Sequence, residues 1–467
     1  MSTYACDARP DAAARGAPRL LAETLMLGRW ATHAYQRSCD GKTLFFQLEQ
    51  GVRVQRGAER VDWKLDFGRE PRELRCAPDS RRAAFWARAE EGQASARIAI
   101  ADLSSLTPTP RVQALYEPAA GHHPFGMEWS PDGEALFVVE LVEARRGAQE
   151  VRESALTRVE VPSGRTREVF RHPGPIDFFM PPVPRLGGGP GRDPSLLVGC
   201  EGGLFLVDPR DGARRRVPAL PSTGLYDIEW SPDPRRDLVA LYFRFPAPGP
   251  DGRRATGVYL LDLDRLRAAG DRAGVDPTAF AEQLYEGRDV HTLWFSPRGT
   301  WITWATPEKV YLRRVGDPAA RAQEPALELE LPGPDGAPAR LKGVAWNDAE
   351  TRLAITAENE LWVYDLAPAA RPKGARPTPE EERVAALTGK LPHRYRIAAF
   401  PAGFAADPHW DGERVLVSLF ERVKGQDCPG RLRPPLPLPP APKPQEPKPQ
   451  EPKKPEQPER PEQPRRR

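Results

Sequence analysis

Three serines recur at one place in a repeated segment, and a serine nucleophile is the first chemistry that they suggest. Ser130, Ser231 and Ser296 each follow an aromatic residue and precede a proline. A serine hydrolase would present its nucleophile in a G-x-S-x-G elbow, and the chain contains none. Ser-Pro-Asp is also a common turn sequence, because proline presets φ and aspartate can bond the backbone two residues on. We therefore predict that these serines are structural.

Metal binding is the second chemistry to test, and the candidates are few. The chain has seven His, of which only His122 and His123 are adjacent. Neighbouring residues on a strand point to opposite faces, so two such side chains rarely hold one ion. Five cysteines occur without CxxC spacing, which favours reduced thiols over a disulfide framework or a zinc site. We predict no metal-binding residues.

Phosphate binding and acid–base catalysis have equally weak candidates. The run LGGGPG at 186–191 lacks the G-x-x-x-x-G-K-[ST] pattern of a phosphate loop, and Gly41-Lys42-Thr43 is part of a hairpin turn. Asp262 and Asp264 follow a strand, which is typical of turn residues. We therefore expect no catalytic residue, no cofactor-binding residue and no cofactor.

A repeated unit explains most of these motifs. The segment PFGMEWSPDGEALFVVE, at 124–140, and LYDIEWSPDPRRDLVALYF, at 225–243, both place an apolar strand before a turn and a second strand after it. Weaker copies occur at 37–49, 73–87, 178–200, 291–305, 343–357 and 407–420. Internal repetition of short strands and turns is typical of propeller blades.

Each unit continues with two further strands. The third ends in aspartate, as in GLFLVDP at 203–209 and ELWVYDL at 360–366, and an outer fourth strand follows. We predict an all-β propeller of seven or eight four-stranded blades, with a slight preference for eight. The last unit, 393–423, shows only two strands, and the run at 19–29 would complete it and close the ring. The two helix candidates, 263–274 and 379–387, are interpreted as insertions between blades.

The W-S-P-D-G turn and the later strand ending in aspartate resemble the TolB-type and WD40-like propeller repeat. The same repeat builds the propeller of prolyl oligopeptidase relatives. The resemblance covers about 37–423 and implies the fold, but it implies little about function, since propellers serve many roles. Unlike TolB, the chain shows no signal peptide or N-terminal α/β domain, and unlike the peptidases it shows no C-terminal hydrolase domain.

Charge and composition set a C-terminal region apart. The chain has 467 residues, 55 of them proline, and a formal net charge of +3. Residues 431–467 hold ten Lys or Arg and five Asp or Glu, a charge of +5, so the remainder carries +3 − 5 = −2. A near-neutral body argues against a dedicated nucleic-acid binder. We predict a flexible N-terminus at 1–18, a propeller at 19–424 and a disordered Pro/Lys/Glu/Gln-rich tail at 425–467.

The tail has two interpretations that the sequence leaves open. It is either a solvated spacer or a ligand for a polyproline-recognising module, since P-x-x-P recurs at 444–447 and 449–452. Its charge would also draw it to an acidic surface. Because no secretory signal or membrane-length apolar run is found, we expect a cytoplasmic protein.

Two functions of different class remain. The first, which we favour at this stage, is a non-catalytic propeller scaffold for protein–protein interaction, with protein partners unknown and no enzyme activity. It depends on the apolar residues and Trp seen at the blade positions expected to point inward. The alternative is a propeller enzyme, a hydrolase or lyase with its site in the central channel. The repeated Trp129, Trp230 and Trp346 are expected to be core or inter-blade packing.

Overall fold

The computed structural model shows an eight-bladed β-propeller. It describes residues 2–8, 19–23, 35–37, 42–48, 51–57, 59–63, 71–87, 97–146, 149–180, 195–200, 203–217, 220, 225–233, 235–248, 254–269, 277–316, 326–331, 339–366, 382, 385, 393–400 and 404–420. The chain divides into two units, Met1–Glu421 and Arg422–Arg467. The first contains all eight blades. The predicted tail lies outside the described residues.

Every blade is a four-stranded antiparallel sheet. Blade 1 contains β3 (Tyr35–Arg37), β4 (Thr43–Leu48), β5 (Gly51–Arg56) and β6 (Glu59–Trp63). Blade 2 contains β7 (Pro71–Cys76), β8 (Arg82–Ala87), β9 (Arg97–Asp102) and β10 (Val112–Tyr116). Blade 3 contains β11 (His122–Trp129), β12 (Ala135–Arg146), β13 (Gln149–Glu160) and β14 (Thr166–His172). Blade 4 contains β15 (Ile176–Met180), β16 (Leu196–Cys200), β17 (Gly203–Val207) and β18 (Arg214–Val217).

The second half of the ring repeats this order. Blade 5 contains β19 (Leu225–Trp230), β20 (Leu238–Pro248), β21 (Arg254–Asp262) and β22 (Ala281–Tyr285). Blade 6 contains β23 (Thr292–Phe295), β24 (Trp301–Ala305), β25 (Lys309–Arg314) and β26 (Leu327–Glu330). Blade 7 contains β27 (Leu341–Trp346), β28 (Arg352–Ala357), β29 (Glu360–Asp365) and β30 (His393–Ala399).

Blade 8 is assembled from both ends of the chain. Its order is β2 (Arg19–Glu23), β1 (Ser2–Asp7), β32 (Arg414–Phe420) and β31 (Phe404–Asp411). The prediction that the run beginning at residue 19 supplies the outer strand is confirmed. Within residues 1–18, expected to be flexible, Ser2–Asp7 instead forms β1 and pairs with β32 along its length. The strand at residues 393–399 belongs to blade 7, not to the last blade as predicted.

Helix is confined to short insertions among the described residues. The helix α1 (Leu263–Ala269) and a 3₁₀ turn (Pro277–Ala279) lie between the third and fourth strands of blade 5. The sequence predicted a helix here but placed it between blades. The oxygen Oδ1 of Asp262 accepts the backbone N–H of Arg265 at 3.0 Å, so it caps α1. Of the predicted helix at 379–387, only residues 382 and 385 are described, and both are helical.

The serine of the repeated turn closes the hairpin between first and second strands. The hydroxyl of Ser130 accepts the backbone N–H of Ala135 at 2.9 Å, and Ser296 accepts that of Trp301 at 2.9 Å. All three turn serines are buried. Their predicted structural role is confirmed, because these hydroxyls satisfy backbone donors that would otherwise be buried without partners.

The tryptophan that ends the first strand of blades 3, 5 and 7 packs against the preceding blade. Trp129, Trp230 and Trp346 are 5%, 3% and 8% exposed. The indole N–H of Trp129 donates to the carbonyl of Arg75 at 2.9 Å, and that of Trp346 to Thr303 Oγ1 at 2.8 Å. The prediction of inter-blade packing is confirmed.

A second residue of the repeat covers these rings. The first residue of the second strand lies over the Trp of the next blade: Arg82 over Trp129 at 5.3 Å, and Arg352 over Trp410 at 5.9 Å. In blade 6 that place is taken by Trp301, which stacks on Trp346 with an interplanar angle of 19°. A cation or an aromatic ring can fill the same position because both attract the face of an indole.

Candidate functional site in the central channel

The first strands of the blades surround the central channel. First strands of neighbouring blades contact one another, as β7 does β11 and β19 does β23. Each has a partner strand on its outer side only, so its other edge faces the channel. Such an edge presents backbone N–H and C=O groups that no strand pairs.

A β-bulge recurs in these first strands. Four of the strands carry one unpaired residue at the matched position: Phe125, Asp177, Tyr226 and Lys342. In blade 6 the matched residue is His291. Its N–H donates to the carbonyl of Ala305, and Thr292 pairs with the same Ala305, so two residues face one. Bulges re-aim side chains and are common beside binding sites. The chain therefore carries a ring of non-repeating side chains at one level of the channel.

Charged residues alternate with the tryptophans on the same strands. The residue before the Trp is Glu128 in blade 3, Glu229 in blade 5 and His409 in blade 8, and Arg75 holds the matched place in blade 2. Successive strand residues point to opposite sides, so the Trp and the residue before it lie on opposite faces of the blade. The expectation of apolar and Trp side chains at these positions holds only in part, because Arg75, Glu128 and Glu229 share the position with Met180 and Trp294.

The two glutamates of the repeat have different surroundings. Glu128 forms an ion pair with Arg75 of the preceding blade, with 2.9 Å between Oε1 and Nε. The residue of blade 4 that matches Arg75 is Met180, which has no charge to offer. Glu229 has no hydrogen-bond partner among the described residues. Burial raises the pKa of Glu229 well above its ordinary value, and the charge of Asp227 adds to the rise.

Asp227 lies two residues before Glu229, on the same side of β19. Its Oδ1 accepts the N–H of Ile228 at 2.9 Å, and its carboxylate also accepts the N–H of Leu293 in blade 6. Backbone N–H groups alternate between the two edges of a strand. The N–H groups of Ser231 and Ser296 bond their partner strands. Ile228 and Leu293 lie three residues earlier, an odd number, so their N–H groups point the other way, toward the channel. Asp227 therefore sits at the channel edge, where it joins two blades.

The pair holds its protons unequally. Burial raises the pKa of Asp227 to about 6, and the two N–H donors limit the rise. Those donors stabilise the ionised form of Asp227, whereas nothing comparable stabilises ionised Glu229. Glu229 therefore gives up its proton after Asp227 does, because the charge of ionised Asp227 adds to the rise in the pKa of Glu229. The sequence analysis missed both, because Glu128 and Glu229 share the letters Glu-Trp-Ser-Pro-Asp. The signal that separates them is the preceding unit, with Arg75 in one case and Met180 in the other.

Blade 6 carries uncharged groups at the matched positions of its own first strand. Burial lowers the pKa of His291 to about 4, with Lys342 of blade 7 adding to the effect, so the imidazole is neutral at pH 7. Its Nε2 is buried and has no partner among the described residues. Trp294 matches Glu229 in position and is 37% exposed.

The other residues weighed in the sequence have structural places. His122 Nδ1 lies 3.2 Å from Oε2 of Glu140, a buried carboxylate that also accepts the hydroxyls of Tyr116 and Thr157. His123 lies 3.8 Å from Glu143 instead, so the two histidines have separate partners, as predicted. Asp264 forms an ion pair with Arg267. The glycine-rich run at 186–191 lies outside the described residues.

The residues that the structure describes form no metal-binding or thiol-based site. No cluster of three or more His, Cys, Asp or Glu there could hold a metal ion. The absence of a catalytic metal stays a prediction. Cys6, Cys76 and Cys200 form no disulfide, and burial raises the pKa of Cys6 to about 12. Of the described helices, none has the length and apolar character needed to cross a bilayer.

Comparison with known proteins finds solved structures of low sequence identity. No protein-family model matches the chain, and no curated protein matches it. An oligogalacturonate lyase from Vibrio parahaemolyticus is 13% identical, with a TM-score of 0.43 over 73% of this chain and 91% of that one. A dihydro-haem d1 dehydrogenase is 14% identical, with a TM-score of 0.49 over 78% and 70%. The β-propeller domain of the Trilobed protease from Pyrococcus furiosus is 13% identical, with a TM-score of 0.40 over 74% and 97%.

The resemblance to propeller repeat proteins is confirmed at the level of the fold. The interpretation as a non-catalytic scaffold without enzyme activity is wrong, because propellers similar to this chain include a lyase and a dehydrogenase. Likenesses of this degree carry no particular activity over to the chain. The side chains of its own channel are therefore the basis for assigning a function.

Proposed function

We propose that the protein is an enzyme of hydrolase or lyase type that carries out acid–base chemistry in its central channel. The observation that supports this most is the unequal pair on β19. Asp227 is held ionised by two backbone N–H groups, and Glu229 has no partner among the described residues. Two carboxyl groups whose surroundings separate their pKa values are the usual equipment for an acid and a base.

The roles follow from the protonation states. Glu229 starts protonated and donates its proton to the leaving group. Asp227 starts ionised and accepts a proton, from water in a hydrolysis or from carbon in an elimination. After either reaction Glu229 is ionised and Asp227 is protonated, so one proton must return before the next turnover. Solvent in the channel is the route for that return, because both side chains keep partial exposure.

Burial without compensation is itself an argument for function. Replacing Glu229 by an apolar residue would remove a carboxyl group that ionises only at a high cost in free energy. Groups kept at such a cost, in a channel and with a raised pKa, are candidates for a functional site.

The test uses Glu229→Gln and Asp227→Asn, with Glu128→Gln as the matched control. The full chain would be assayed on nitrophenyl esters and glycosides for hydrolysis, and on polyuronate for elimination by ultraviolet absorbance. We expect both β19 variants to lose turnover by at least about 100-fold, the scale of general acid–base catalysis, and Glu128→Gln to retain it. Carboxyl-carbon NMR needs no substrate and should find Glu229 protonated at pH 7. An ionised Glu229, or full activity in Glu229→Gln, would overturn the proposal.

The pH profile is a second test of the same assignment. Activity should rise as pH increases through about 6, because Asp227 must lose its proton to act as a base. It should fall again at higher pH, where Glu229 loses the proton that it donates. A profile that is flat from pH 5 to pH 7 would exclude Asp227 as the base.

Two expectations from the sequence stay proposals beside this one. A cytoplasmic location, expected in the sequence analysis, stays a proposal. The C-terminal tail is proposed to be either a spacer or a ligand of a polyproline-recognising module or an acidic surface, with no nucleic acid involved. Capture experiments with and without residues 434–467, read by mass spectrometry, would separate the spacer from the ligand.

A further inference from the structure

The exposed aromatic side chains of the described residues are not scattered. Large hydrophobic side chains with more than a third of their surface exposed number three, and all lie on first strands: Phe125 (46%), Tyr226 (48%) and Trp294 (37%). Contiguous exposed apolar surface in a concave place is a common mark of ligand binding. Their shared location on the channel wall is what separates them from ordinary surface residues.

Two of the three flank the carboxyl pair. Tyr226 immediately precedes Asp227, and Trp294 immediately follows Leu293, whose N–H Asp227 accepts. Tyr226 and Phe125 are bulge residues, so their side chains are re-aimed relative to the regular pleat.

These rings differ in how much of their surface is engaged by protein. Tyr226 packs edge-on to Tyr242 at 5.9 Å, and Arg244 lies 4.9 Å over its ring. Phe125 and Trp294 have no ring or cation partner among the described residues. Tyr226, on one side of Asp227, is therefore packed against protein groups, whereas the ring of Trp294, on the other side, is not.

We propose that this wall binds a neutral saccharide chain, with sugar rings stacked on Tyr226 and Trp294 and hydroxyl groups bonded to Asp227. Aromatic faces carry negative charge density, which suits the C–H face of a pyranose. Carboxylates accept hydrogen bonds from hydroxyl groups. The negative charge of Asp227 would repel an acidic sugar. The positive charges of Lys342 and Arg340, which lower the pKa of His291, would repel a cationic ligand.

The inference rests on the proposed function and narrows it to glycoside hydrolysis. Elimination needs a carbon acidified by a neighbouring carboxyl group, which a neutral sugar lacks. In hydrolysis Glu229 gives its proton to the glycosidic oxygen as the bond from that oxygen to the anomeric carbon breaks. Water forms the new bond to that carbon, and Asp227 takes the proton of the water. Asp227 and Glu229 are alternate residues of β19, so their Cα atoms are about 6.6 Å apart.

The test measures binding separately from turnover. Full-length protein would be run through native gels containing soluble β-glucan, xylan or polygalacturonate. We expect retardation by a neutral polysaccharide, with affinity reduced at least about tenfold in Tyr226→Ala and in Trp294→Ala. Trp362→Ala is the control, since Trp362 is a half-buried aromatic on β29, the third strand of blade 7. Circular dichroism would confirm that each variant is folded.

Each outcome separates the two proposals. Glu229→Gln should still be retarded, because an amide replaces an uncharged carboxyl group, while turnover of the same polysaccharide is lost. Retardation by polygalacturonate alone, or unchanged binding in both aromatic variants, would overturn the saccharide inference. No retardation by any polysaccharide would also overturn it, yet a protonated Glu229 in the NMR titration would leave the acid–base proposal standing.

Discussion

Replacing Glu229 by glutamine should stabilise the protein relative to the wild type, and the difference should grow as the pH rises. The change nevertheless removes a group that we assign to function. The unfolded chain ionises this glutamate above its ordinary pKa of 4.5. In the folded protein burial and the charge of Asp227 raise the pKa of Glu229 well above that value, so it keeps its proton to higher pH. Folding must therefore take up a proton, so the stability of the wild type falls as pH rises above 4.5.

The magnitude follows from that difference in proton uptake. Each pH unit above 4.5 through which folded Glu229 keeps its proton costs the wild type about 1.4 kcal/mol. Glutamine does not titrate and is free of this cost. A buried amide without partners costs about 1–3 kcal/mol itself, so the net gain at pH 7 is small. The gain should grow by about 1.4 kcal/mol for each further pH unit while Glu229 stays protonated.

Calorimetry from pH 5 to pH 8.5 would measure this slope. A propeller of about 420 residues unfolds with an entropy of roughly 0.9 kcal/mol/K, so 3 kcal/mol corresponds to about 3 °C in Tm. The matched control is Glu128→Gln, which breaks a half-exposed ion pair with Arg75 and should lose less than about 1 kcal/mol. If Glu229→Gln lowers Tm equally at every pH, Glu229 is ionised and paired, and our reasoning about the channel fails.

Four other changes test the fold. Trp230→Ala should lower the free energy of unfolding by about 3–5 kcal/mol, measured in urea; no loss would mean that the ring is not packed between blades. Gly257→Ala should cost about 3 kcal/mol or more, because at φ +96° a Cβ would lie 1.9 Å from the carbonyl oxygen of Tyr285; an unchanged midpoint would contradict that contact. Deleting residues 1–8 should lower Tm and promote association on gel filtration, since it uncovers an edge of β32. Deleting residues 422–467 should leave Tm unchanged, and a loss of many degrees would show that the tail packs on the propeller.

The repeated turn made the blades predictable from sequence. Ser-Pro-Asp with flanking apolar strands reports local chemistry, since the serine hydroxyl closes its own hairpin. The strand β1 was missed because its pairing partner β32 lies at the other end of the chain, and a six-residue run such as Ser2–Asp7 has little periodicity of its own. A local sequence pattern therefore predicts the strands that pair with a neighbouring strand in the chain, but not one that pairs with a distant strand.

The channel was harder to predict, for a different reason. The pKa of Glu229 depends on its burial and on the charge of Asp227, which is itself anchored by the N–H of Leu293 in another blade. Repetition also hid the difference, since a shared motif suggests a shared role. Comparing each unit with the one before it in the ring would have separated Glu229 from Glu128.

Closure of the ring by β1 and β32 dictates the order of folding. The strand made first cannot pair until the last blade has been synthesised, so an incomplete chain cannot finish the propeller. Bringing together ends about 410 residues apart costs roughly 5 kcal/mol of chain entropy, which the six paired residues from Ser2 to Asp7 and the two flanking strands must offset. Within the propeller, the seam of blade 8 is therefore the last part to form and the first to open.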